Sequence, residues 1–127
     1  MIQGTTAQFK FKLPYSYAEL NEIKIKFWQP GNQSDLLPIF KYKRNCVEVR
    51  KNEIYVSLRP SETALFSDKY KAKVQLLAQP YIGTPFGSKA RLISVYPNDI
   101  IMDNPPDDPD LPIDDKWIIL DGDAIVG

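Results

Sequence analysis

Apolar residues in this chain recur at every second position, and that period constrains its fold more than any other feature. From Ala7 to Leu13 the odd positions read Ala7, Phe9, Phe11 and Leu13, with Gln8, Lys10 and Lys12 between them. Ile23, Ile25 and Phe27 alternate with Lys24, Lys26 and Trp28, and Ile54, Val56 and Leu58 alternate with Tyr55, Ser57 and Arg59. Tyr70, Ala72, Val74, Leu76 and Ala78 alternate with Lys71, Lys73, Gln75, Leu77 and Gln79. Successive side chains of a strand point to opposite faces, so each segment reads as a strand with one face on a core and one in water. This is the pattern of antiparallel sheets. Shorter candidates are residues 37–42 and 46–50, and residues 86–96 form a longer one with Ala90, Leu92, Ser94 and Tyr96 on one side.

These segments are separated by turn signals at Pro30-Gly31-Asn32, Lys51-Asn52 and Gly83-Thr84-Pro85. Seven Tyr, six Phe and two Trp suit a pleated surface, and eleven prolines oppose long helices. Only Ser61 to Phe66 reads as helical, a single turn that Ser61 caps after Pro60. About seven strands in the first 100 residues fit an all-β, antiparallel, immunoglobulin-like β-sandwich. The likeness is architectural, because the disulfide cysteines of that fold are absent. The lone Cys46 has no internal partner. No apolar run approaches the roughly 20 residues that span a bilayer, so no membrane is expected as a partner. The opening residues lack the basic start and apolar stretch of a signal peptide, and a reducing compartment is expected.

Beyond residue 100 the composition changes. Pro105-Pro106 leads into Asp107-Asp108-Pro109-Asp110-Leu111-Pro112-Ile113-Asp114-Asp115, which offers little apolar surface to bury. The expected organisation is a β domain over residues 1–100 and an acidic Pro/Asp-rich arm over residues 101–127. The arm ends apolar, and Trp117, Ile118, Ile119, Leu120, Ile125 and Val126 are its candidate docking residues. Net charge is zero, yet residues 1–98 hold 15 Lys and Arg against 7 Asp and Glu, while residues 99–127 hold 1 Lys against 9 Asp. A body of +8 and an arm of −8 attract each other, within a chain or between copies. Three roles are open to the arm: lying on its own domain, adding an edge strand to a neighbouring subunit, or shielding the basic face from nucleic acid.

The absence of histidine removes the commonest general base and the commonest metal ligand together. Cys46 therefore reads as a small core side chain rather than a nucleophile. No glycine-rich phosphate loop is present, and no spacing among Glu19, Glu22, Glu48, Glu53 and Glu62 forces two carboxylates together. Asp107–Asp115 lacks the central Gly and closing Glu of a calcium loop. No catalytic residue, metal or cofactor is expected. Lysines on the polar phase of strands oppose aggregation of sheet edges, and the arm cancels their charge, so the reading does not favour nucleic acid. Trp28, Tyr42 and Tyr55 are candidates for an exposed aromatic surface, and with Tyr81 and Tyr96 they would serve carbohydrate or cell-surface recognition.

The order of segments carries a resemblance. Gly4-Thr5-Thr6-Ala7-Gln8-Phe9-Lys10-Phe11-Lys12-Leu13-Pro14-Tyr15 is followed by the strand at Glu22 to Gln29, then by Ile54 to Phe66, then by Lys73-Val74-Gln75-Leu76-Leu77-Ala78. Over about residues 2–100 this resembles a group of small proteins from the structural-gene regions of phages and prophages. Those begin with a Gly-Thr-Thr-Pro-like segment leading to "FxLPF" and continue through "LTQEDTLKF" and "VQIQLRV" stretches. The chain departs from them at Ala7, where Pro is usual, and in its Asp/Pro-rich C-terminal part. The resemblance implies a virion or tail-associated component with an immunoglobulin-like sandwich and no enzymatic activity. It further implies other virion or assembly proteins as partners and a place in the virion or in the host cytoplasm during assembly. It offers no template for the arm, and a homo-oligomer through the arm is expected from the charge split instead. The resemblance carries no functional residues over.

Overall fold

Period-two alternation becomes period-two burial. The computed structural model describes residues 1–31 and 38–99 with their side chains, and residues 118–121 as backbone. Strands β1 (Ala7–Lys12), β2 (Leu20–Trp28), β3 (Ile39–Tyr42), β4 (Val47–Arg50) and β5 (Glu53–Leu58) come first. A single helical turn, α1 (Pro60–Thr63), precedes β6 (Ala72–Pro80), β7 (Phe86–Gly87), β8 (Arg91–Ile93) and β9 (Ile118–Asp121). The strands form two sheets, ordered β4-β5-β1-β9 and β3-β2-β6-β7, with β8 also paired to β6. Pairing between these strands is antiparallel except for β1 with β9.

The inner face of the first sheet carries Phe9, Phe11, Ile54, Val56 and Leu58, each 2% exposed or less. The second sheet supplies Leu20, Ile23, Ile25, Phe27, Ala72, Val74, Leu76 and Ala78 to the same core cluster. Phe9 and Phe27 meet across the two layers, with ring centroids 5.0 Å apart at 53°. Such tilted ring pairs stabilise beyond the area they bury. α1 lies on the crossing from β5 in one sheet to β6 in the other, and Pro60, Thr63 and Phe66 seal that end of the core. At the same end, just past β2, Gln29 is buried and holds the loop that follows α1 and leads into β6. Its Nε2 donates to the carbonyls of Ser67 and Tyr70 at 2.6 and 2.8 Å, and its Oε1 accepts from the Ser67 amide at 2.9 Å.

Several expectations are corrected. Nine strands stand among the described residues instead of about seven, because 86–96 divides into β7 and β8 and β9 is added. Within that stretch Ala90, Leu92, Ser94 and Tyr96 do share a side, and it is the outer one: Leu92 and Tyr96 are 60% and 56% exposed, whereas Ile93 and Val95 are buried. Apolar side chains occupy both phases there, so alternation alone does not orient it. Tyr70 is 41% exposed and precedes β6, which starts at Ala72. The helical turn is capped by Arg59 rather than Ser61, with the Glu62 carboxylate accepting from the Arg59 amide at 2.9 Å and Pro60 in the first turn.

The strand order is its own. In constant-type immunoglobulin domains the second strand lies with the first and fifth. Here β2 lies with β3 and β6, while β1 lies with β5. Residue 37 of the expected third strand, and the arm apart from 118–121, lie outside the described residues.

Truncating Phe27 to Ala should lower unfolding free energy by about 3–5 kcal/mol, as for other buried aromatics, read from the urea midpoint. Gln29→Ala should cost about 1–3 kcal/mol, because it leaves the Ser67 amide and two carbonyls unpaired. Equal midpoints for Gln29→Ala and wild type would show that water replaces the clasp.

Candidate functional site

The outer face of the second sheet interleaves rings and cations, and strand register accounts for it. Lys24 stands opposite Tyr42 on β3 and Leu77 on β6. Lys26 stands opposite Phe40 and Gln75, and Trp28 opposite Lys73, which in turn faces Leu92 on β8. Directly opposed side chains lie close enough to touch. Lys24 Nζ sits 4.5 Å from the centroid of Phe40, Lys26 Nζ 4.7 Å from Trp28, and the Arg44 guanidinium 4.8 Å from Tyr42. Phe40 and Tyr42 stay 38% and 36% exposed, which leaves ring surface for a ligand.

At the β3 end of this face lies a groove of about 410 Å³, lined by Asn21, Glu22, Ile23, Lys24, Tyr42, Lys43 and Arg44. Its wall is the 3-10 turn Lys43–Asn45, where the Tyr42 amide donates to Asn45 Oδ1 at 2.8 Å and so holds Arg44 back over the Tyr42 ring. Lys43 serves the scaffold instead. Its ammonium donates to the Leu20 carbonyl and lies over the rings of Tyr17 and Tyr81, at 4.8 and 5.8 Å. Burial, with Cys46 and Glu48 adding to it, pushes the Tyr17 phenol above its usual value, so Tyr17 stays neutral beneath that cation.

The three aromatic candidates divide between the layers. Trp28 and Tyr42 share the face just described, but Tyr55 lies on the outside of the first sheet, opposite Lys10 and Val47. Trp28 and Tyr55 are half-buried rather than exposed. Tyr81 and Tyr96 are exposed at the end of β6 and beyond β8, and join neither group. Phe40 and Asn21 were not anticipated; the Ile39-Phe40 pair hides which residue faces outward, and a lone Asn carries no pattern.

Among the docking candidates, Ile118, Ile119 and Leu120 fall in β9, which runs parallel to β1 in the register Phe9↔Ile118, Lys10↔Ile119, Phe11↔Leu120. Trp117, Ile125, Val126 and Asp107–Asp115 lie outside the described residues.

Cys46, Glu53 and Glu62 are held by the fold. Cys46 is buried, its thiol donates to the Tyr42 carbonyl at 3.4 Å, and burial pushes its pKa up to about 12. Glu53 pairs with Lys10 at 2.9 Å, and that ammonium, ahead of the more distant Arg50 and Lys12, holds its carboxyl below the usual range. Glu62 pairs with Lys41 at 2.7 Å, linking α1 to β3. Among the described residues, no group of three or more Cys, Asp or Glu could hold a metal ion, and no helix is long and apolar enough to cross a membrane. No protein-family model matches the chain, and no curated protein or solved structure matches it.

Cys46 should react with a thiol reagent at pH 8 far more slowly in the folded chain than in urea, since almost no thiolate forms. Equal rates would place Cys46 in solvent. The lowered pKa of Glu53 contributes stability above its unfolded pKa that is lost as pH falls through the folded value. Lys10→Met should therefore shrink the drop in urea midpoint between pH 7 and pH 3, and an unchanged drop would show that this pair has no part in acid stability.

Proposed function

We propose that this chain is a non-enzymatic structural or assembly protein of a phage or prophage, a head, tail or baseplate accessory that works through protein–protein contacts. The observation that carries the reading is the parallel addition of β9 to the edge of β1. An extended segment completing a sheet edge is the β-augmentation mode of recognition, in which backbone hydrogen bonds supply the affinity. Those bonds are the same whichever copy supplies the strand, so a strand at the end of a long connection suits exchange between neighbours. The two-layer antiparallel architecture agrees with the immunoglobulin-like sandwich of the phage group, though the strand order is distinct. In this reading the protein resides in the virion, or in the host cytoplasm during assembly.

A second reading has its own observation. Trp28, Phe40 and Tyr42 share one outer face, and rings on a β surface stack on sugars. A glycan-array signal that falls in Tyr42→Ala would favour carbohydrate or cell-surface binding, and a blank array removes it.

Light scattering during size exclusion separates the assembly reading from a monomeric one. At high concentration the full chain should run above monomer mass, and a truncation before Asp103 at monomer mass. Identical monomeric profiles would overturn arm-mediated self-association. Portal, capsid or tail genes beside this one would support the phage setting, whereas metabolic neighbours would overturn it.

A further inference from the structure

We infer that the groove between β2 and β3 is the docking site for residues 103–115 of a second copy. This rests on the assembly reading above and names the surface and segment that would meet. Lys24, Lys26 and Arg44 lie over rings instead of against carboxylates, while the ion pairs among the described residues use Lys10, Lys41 and Arg50. Their positive charge is thus left for an incoming anion: Lys24 and Arg44 line the groove with Glu22 as its acidic side chain, and Lys26 lies beyond it along β2. Lys73 extends the same charge across β6.

Residues 103–115 match this surface in both charge and form. They carry six Asp and no Lys or Arg. Pro106, Pro109 and Pro112 recur every third residue, the period of a polyproline II helix. Segments of that form dock against aromatic rings, and here prolines would rest on Tyr42, which lines the groove, and on Phe40 two residues before it on β3. Asp107 and Asp110 are also three apart and share another face of such a helix, about 9 Å from each other. Lys24 and Lys26 stand about 7 Å apart along β2, a difference that flexible lysine side chains absorb.

The segment comes from a second copy because of where its ends lie. Tyr96, three residues before Asp99, bridges to Ile2 in the segment leading into β1, and Ile118 opens β9 against β1. Both ends of the segment therefore lie by β1 of the first sheet, whereas the groove opens between β2 and β3 of the second. A neutral chain built as +8 and −8 parts pairs head to tail with its own kind and leaves no charge over.

Charge reversal on full-length chains tests this by sedimentation velocity, with circular dichroism melts confirming that each variant folds. Lys24→Glu with Arg44→Glu should weaken association about tenfold or more, and Asp107→Lys with Asp110→Lys should do the same. Mixing the two variants should restore association, since each then meets a complementary partner. Wild-type association should also weaken as salt rises from low to high ionic strength. Association unchanged by both reversals would overturn this groove while leaving assembly through β9 intact. A wild-type chain monomeric at every concentration would overturn both. Restoration only when all four changes sit in one chain would place the contact within a copy and overturn the second-copy assignment. Tight binding of a single-stranded oligonucleotide, lost in the groove variant but unaffected by the aspartate variant, would assign the face to nucleic acid instead.

Discussion

The contact of Phe9 with Phe27 joins two layers that cannot stand separately. Each sheet has one apolar face, and a face of that kind exposed to water is lost stabilisation that only a second apolar face recovers. The remaining structure follows from keeping these faces together. α1 and Phe66 seal one end of the core, and the Gln29 amide, just past β2, pins the loop that follows Phe66 at that same end. Glu62 joins both tasks, capping α1 through the Arg59 amide while its carboxylate holds Lys41 of β3.

Once the inner faces are closed, chemistry is left only to edges and outer faces. β4 is exposed along its whole length and pairs on one side with β5. β1 would be an open edge of the first sheet if β9 did not cover it. Unpaired edges recruit strands, and β9 occupies the edge that β1 would otherwise present. The outer face of the second sheet follows a different rule. There, long cationic side chains lie across rings, which desolvates their stems and leaves their charge available.

Reactive groups are spent on the scaffold. Cys46 is a neutral thiol under β3, and Glu53 and Glu62 are bound to lysines. Lys43 props the end of β2 through the Leu20 carbonyl and two tyrosine rings.

Alternation in residues 7–13, 23–28, 54–58 and 72–78 determined by itself which residues face the core. A strand has only two faces, and these segments place apolar residues on one of them. Where both phases are apolar, at Leu92-Ile93 and Ile39-Phe40, only packing against the opposite sheet decided which side chain turned inward. The candidate surface was half legible for the same reason. Trp28, Lys24 and Tyr42 could be assigned to the polar phase of their strands, but period two does not say which strands are neighbours. Period two therefore groups Tyr55 with residues of the other layer and does not single out Phe40. That β2 sits between β3 and β6, and that Ile118 comes to lie beside Phe9, depends on pairing between residues far apart in the chain. Only the closed core fixes such long-range pairing, because the hydrogen bonds of a strand edge are indifferent to the sequence that fills them.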